Sequence, residues 1–224
     1  MLGGRRKLPV LAQLAGPAPE SSRAWALRRG DLQALAKVGE ALEGRGVALV
    51  TGDEGLAGAV AVAGCAAASG RRTALLECDL VQPRLAAALG LSAAPGLHEY
   101  LRWEATAPQI LQPLVVAGPA SAAATDPLVC IVAGRRAADP ATLISLASFR
   151  HALAKLRKAY DLVVLAGPGL DSAYGSLATL AEQSDTLLAA VSAAAAGGRP
   201  SRELRTALRK LPAPVAGAIV IGAG

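Results

Sequence analysis

The chain has 224 residues and a net charge of +6, from 23 Lys and Arg against 17 Asp and Glu; 53% of it is hydrophobic and only 3% aromatic. That length supports one domain with a real core. It excludes a membrane span, because the longest apolar stretch, Leu56–Ala68, is too short to cross a bilayer. Met1–Lys7 is basic, but the following LPVLAQLAG is broken by polar and turn residues, so no signal peptide is expected and the chain is placed in the cytoplasm.

Three cysteines, Cys65, Cys78 and Cys130, sit in apolar runs without metal spacing and read as buried free thiols. His98 and His151 have no ligand partners by spacing, so no zinc-type site is expected. The arginine pairs at 5/6, 28/29, 71/72 and 135/136 read as a solvated surface. Attraction to anionic lipid, nucleic acid or an acidic partner is the alternative. No stretch interleaves Arg with aromatics, so nucleic acid is not expected.

In chain order, residues 1–19 read as a basic arm rich in Gly and Pro, with one apolar segment, Leu8–Leu14. Residues 20–224 form the domain. Residues 20–43 read as helix, interrupted near Gly30, with Asp31 as an N-cap. Gly46–Thr51 is a strand, Leu56–Ser69 a helix of small apolar residues, Gly70 its terminating glycine, and Thr73–Cys78 the next strand. Short helices follow at Leu85–Leu89 and Gly96–Leu101. Ile110–Val116 and Val129–Ala133 read as strands, joined by a mobile loop at 117–127. Asp139-Pro140 opens a long helix to about Ala159, with Leu146, Phe149, Leu153 and Leu156 on one face. Asp161–Gly167, Thr186–Val191 and Pro214–Ile221 are strands of the doubly buried kind, and Ser201–Leu211 is amphipathic between the last two. Strands alternating with helices predict a doubly wound, mainly parallel α/β sheet, with ligands at the loops after Thr51, Cys78 and Leu165.

The unit 46–79 has the outline of a phosphate cradle: strand, glycine turn, helix N-terminus. Gly52, Asp53, Glu54, Gly55 and Gly58 form the turn. The chemistry is missing. A working P-loop has Lys and Ser/Thr after its last glycine, whereas Leu56 and Ala57 follow Gly55 here, and no Lys or Arg lies between Arg45 and Arg71.

Several stretches in order carry a resemblance: LPVLAQL, VALVTGDEG, LLECDLVQPRLAAALGL, PGLHEYL, ADPATLISLASFRHALAKLRKAYDLVVLAGP and PVAGAIVIG. Together, over about residues 8–222, the chain resembles the bacterial tyrosine kinases of capsule and exopolysaccharide synthesis (the CpsD/CapB type). More broadly it is similar to the MinD/ParA-like P-loop ATPases. The resemblance implies ATP with Mg²⁺ as cofactor, and a Wzz-like polysaccharide chain-length membrane protein or an active kinase paralogue as partner. It also implies homo-oligomers and a place at the inner membrane face. Position by position, the catalytic pattern fails. Glu77-Cys78-Asp79-Leu80-Val81 stands for DxDxR, leaving Glu77 and Asp79 as vestigial carboxylates. Ala166-Gly167-Pro168-Gly169 stands for D-S/T-P-P, with Ala166 at the metal-coordinating Asp, and the resemblance implies that Pro168 lines the vestigial nucleotide pocket with Gly52, Asp53, Glu54, Gly55 and Gly58. The family's terminal tyrosine cluster is absent from this sequence. The expectation is a degenerate pseudokinase acting as scaffold or regulator. The alternatives are a kinase or ATPase with a rearranged site, using Lys37, Arg71 or Arg135 as replacement cation, and a MinD/ParA-like positioning module.

Overall fold

The computed structural model describes residues 8–14, 25–26, 29–117, 128–170, 174–196 and 201–222. In chain order the elements are β1 (Val10–Leu14), β2 (Trp25–Ala26), α1 (Arg29–Ala41), β3 (Val47–Thr51), α2 (Gly55–Ala68), β4 (Thr73–Glu77), α3 (Leu85–Leu89), α4 (Leu97–Leu101), α5 (Ala107–Ile110), β5 (Gln112–Leu114), β6 (Val116–Ala117), β7 (Leu128–Ile131), α6 (Pro140–Ser145), α7 (Ala147–Ala159), β8 (Leu162–Ala166), α8 (Tyr174–Glu182), β9 (Thr186–Ser192), α9 (Ala193–Ala196), α10 (Arg202–Leu208) and β10 (Val215–Ile221).

Eight strands form the main sheet in the order β1-β10-β9-β3-β8-β4-β7-β5. All neighbours are parallel except β5 on β7. This is the doubly wound parallel sheet that the alternating pattern predicts. β3, β4 and β8 are buried along their whole length, because helices cover both faces. Successive residues of β3 feed opposite layers: Ala48 and Val50 pack under α1 and α2, while Val47 and Leu49 pack under α7 and α8. The uniform apolar character of α2 follows from its place, pressed between the sheet and α1.

Several expectations change. Val10–Leu14, placed in the arm by sequence, is the edge strand of the main sheet, because Ala12 and Leu14 bury against it. The long helix from Pro140 is two helices, since Leu146 takes an extended conformation (φ −60°, ψ 148°) between them. The segment read as one strand from Ile110 is split: Ile110 ends α5, and β5 and β6 join different sheets. From residue 118, the stretch read as a mobile loop lies outside the described residues, as do residues 1–7 and 15–19 of the arm. Gly70, at φ +84°, terminates α2 as expected.

Candidate nucleotide site

The carboxyl ends of β3, β4 and β8 converge, as the topology demands. The three motif loops therefore meet, and the end of β9 joins them from the other side of β3.

The turn after β3 is short. Only Gly52, Asp53 and Glu54 separate the strand from α2, whose first residue is Gly55. A P-loop places four residues between its two glycines, so that several amides wrap a phosphate. Gly52 and Gly55 leave room for two. The Glu54 N–H donates to the Ala190 carbonyl at 3.2 Å, and the Gly55 N–H donates back to Gly52 at 3.1 Å. Gly52 (φ +124°) lies directly against the Ala190 carbonyl, and Gly58 against the Ala190 side chain, so a Cβ at either position would collide with β9. Asp53 is engaged as well, accepting from the Ser192 N–H at 3.1 Å. The Glu54 amide and the Asp53 carboxylate thus tie the turn to β9.

Opposite it, the Thr51 hydroxyl donates to the Pro168 carbonyl at 2.6 Å, and the Gly167 N–H to the Val50 carbonyl at 2.8 Å. Pro168 thus does face the turn, but its contact is a buried tie between β3 and the loop after β8. Gly55 packs close to the Gly167 carbonyl.

Glu77 and Asp79 both spend oxygens on backbone. Glu77 is 2% exposed. Its Oε1 accepts from the N–H groups of Arg84 at 2.6 Å and Leu85 at 2.8 Å, and its Oε2 from Ala133 at 3.0 Å. One carboxylate therefore anchors the start of α3 and the end of β7 to β4. Asp79 Oδ1 accepts from Val81 at 3.2 Å and Gln82 at 3.0 Å, a side-chain-closed turn. Among the described residues, no three His, Cys, Asp or Glu gather into a group that could hold a metal ion by itself.

Of the replacement cations, Arg71 lies at the opposite end of the sheet, donating to the Asp161 carbonyl at 3.2 Å. Arg135 is drawn into an ion-pair group with Glu99 (2.9 Å) and Glu104, and Lys37 is exposed on α1. Arg84, which the sequence reading passed over, is the cation felt at the turn. Burial raises the Glu54 carboxyl above its usual range, Asp53's charge adds to that, and Arg84 opposes it.

A second charged cluster sits beside the end of β7. Glu99 is 6% exposed. It accepts from the Gly96 N–H at 2.8 Å and from the Arg135 N–H at 3.1 Å, besides the guanidinium. Burial alone would raise this carboxyl, but the Gly96 amide and Arg135 outweigh it and hold it at about 2. The helix bearing Glu99 ends with paired bonds, Glu104 N–H to the Glu99 carbonyl at 2.8 Å and Trp103 N–H to Tyr100 at 3.0 Å. That motif wants glycine at its left-handed residue. Here it is Trp103, at φ 63° and 81% exposed.

No family model and no curated protein matches the sequence. Solved structures do. The kinase domain of Escherichia coli tyrosine kinase ETK superposes with a TM-score of 0.76 at 16% identity, covering 97% of this chain and 92% of that one. The chain has the fold of the bacterial tyrosine kinase domains. The BceF tyrosine kinase domain gives 0.74 at 19% identity, covering 97% and 94%. The septum site-determining protein MinD of Pyrococcus horikoshii, complexed with Mg-ADP, gives 0.57 at 15% identity over 79% and 69%. The tyrosine-kinase fold thus accommodates a short, closed turn in this chain where the sequence reading looks for a cradle.

Proposed function

We propose that this protein is a nucleotide-independent scaffold or regulator in capsular or exopolysaccharide biosynthesis and export, a degenerate relative of the tyrosine kinases whose fold it shares. One observation carries the reading: the Gly52–Glu54 turn is closed onto Ala190. Phosphoryl transfer needs little from a protein beyond positioning and neutralising phosphate charge. Leu56, Ala57 and Ala166 offer neither cation nor metal ligand, and Glu77 serves the backbone. What remains is the frame and its surfaces. The partner in this reading is a Wzz-like membrane protein or an active kinase paralogue, met at the inner membrane face.

Two assays on the purified chain test it. Neither ATP hydrolysis nor tyrosine phosphorylation is expected with Mg²⁺ or Mn²⁺. Pull-down from native membranes is expected to recover a polysaccharide-assembly component equally with and without ATP. Recovery that requires ATP would overturn the reading. The second reading, an enzyme with a rearranged site, is favoured by Arg84 alone. ATP turnover lost in Arg84→Gln would establish it.

A further inference from the structure

The left-handed residue that ends α4 is a tryptophan, where glycine would fit without strain. Packing within the chain does not offset that strain, because the Trp103 side chain stands in solvent. Strained backbone positions cluster at functional sites, where the strain serves a purpose outside local packing.

The cations beside it are held in place. Glu104 accepts from Arg102 Nε at 2.7 Å through Oε1 and from Arg135 Nη2 through Oε2. Arg135 Nε donates to the buried Glu99 at 2.9 Å, and the Arg135 carbonyl accepts from the His98 ring at 2.7 Å. Two guanidiniums are thus fixed around one carboxylate, with side chains 55% and 62% exposed. Arg102 bonds to the described residues through Nε alone, and Arg135 leaves Nη1 free among them. Arg136, the next residue, is exposed. α5 packs beside α4 and exposes Ala107 and Pro108. With Glu99 buried, these three arginines and Glu104 give the surface a charge of +2.

We propose that Trp103 with Arg102, Arg135 and Arg136 is the contact surface for an acidic peptide segment of a partner protein. Its carboxylates would meet the guanidinium N–H groups, and an apolar side chain would lie on the indole. Trp and Arg are the residue types that dominate binding energy at protein interfaces. Single-stranded nucleic acid is served by several aromatics on which successive bases stack, whereas one exposed indole stands here. The inference rests on the scaffold reading above, which calls for a partner, and adds the surface that meets it.

The test is fluorescence anisotropy of the purified full chain with short labelled peptides that alternate Glu with Leu, Pro or Tyr, and with a matching Lys series. Saturable binding is expected for the acidic series alone, weakening with salt. Trp103→Gly should weaken it about thirtyfold while raising Tm, so that lost binding cannot be lost folding. Arg102→Gln/Arg136→Gln, which leaves the Arg135–Glu99 pair intact, should weaken it about tenfold and flatten the salt dependence. Lys37→Gln/Lys158→Gln removes two exposed cations on α1 and α7 and should leave binding within about twofold. Four results would overturn the proposal: no acidic peptide bound at millimolar concentration, equal binding of the Lys series, parent-like binding by Trp103→Gly, or tighter binding to oligo-dT that Trp103→Gly abolishes. In the membrane pull-down, recovery undiminished by Trp103→Gly would overturn this surface and leave the scaffold reading standing.

Discussion

Glu77 distinguishes a structural carboxylate from a catalytic one by the sign of a stability change. Glu77→Gln keeps the shape of the side chain and removes its charge. The Gln carbonyl can still accept from Arg84 and Leu85, as Oε1 does now at 2.6 and 2.8 Å. Its amide nitrogen then faces the Ala133 N–H, which loses the acceptor it has at 3.0 Å. One buried N–H is left unsatisfied, at about 1–3 kcal/mol, and two charge-assisted bonds become neutral, at roughly half their strength. The sum is about 2–4 kcal/mol of lost stability, or a fall in Tm of roughly 5–15 °C for a chain of this size. Urea unfolding followed by circular dichroism reads it as a lower midpoint at unchanged slope. Asp79→Asn serves as the control, because an Asn carbonyl preserves the turn to Val81 and Gln82, and less than about 1 kcal/mol is expected. A carboxylate kept for chemistry behaves oppositely: removing it typically stabilises a protein, because active sites hold destabilised groups. A Glu77→Gln protein as stable as the parent, or more so, would refute the structural assignment.

Trp103→Gly should stabilise the fold by about 1 kcal/mol, read as a higher Tm, because glycine relieves the left-handed strain and the indole, 81% exposed, has little packing to lose. Gly52→Ala should destabilise strongly or abolish soluble expression, since its Cβ meets the Ala190 carbonyl and φ is +124°. The Glu99 carboxyl, depressed from 4.5 to about 2, stabilises the fold by an amount fully present above pH 4.5 and lost as pH falls toward 2. Glu99→Gln should therefore be less stable than the parent at neutral pH, with the difference shrinking across that acid window in pH-resolved unfolding.

Much of the frame was legible because it is written in runs. VALVT, TALLE and DLVVLAG are too continuously apolar to be anything but doubly covered strands, and their order with α2 between them places three loops at one rim. Leu56, Ala57 and Ala166 are visible without coordinates for the same reason: they are chemically silent where a motif needs a charged group or hydroxyl. What the sequence hides is tertiary. Glu77 finds an amide at Ala133, 56 residues away, and no local pattern announces that bond. The closure of the turn depends on Ala190 arriving from β9. The break at Leu146 interrupts a helical stripe with no Gly or Pro at that position, so periodicity alone joins α6 to α7. The antiparallel turn of β5 likewise rests on pairing with β7 rather than on its own three residues.

The central claim of the proposed function is that the turn between β3 and α2 does not cradle a phosphate. Titration of the purified protein with Mg·ATP and Mg·ADP by calorimetry tests it most directly. The account predicts no heat of binding and no thermal shift at millimolar nucleotide. Saturable binding at micromolar Kd would contradict it, by requiring Gly52–Glu54 to detach from Ala190 and a cation to enter the site.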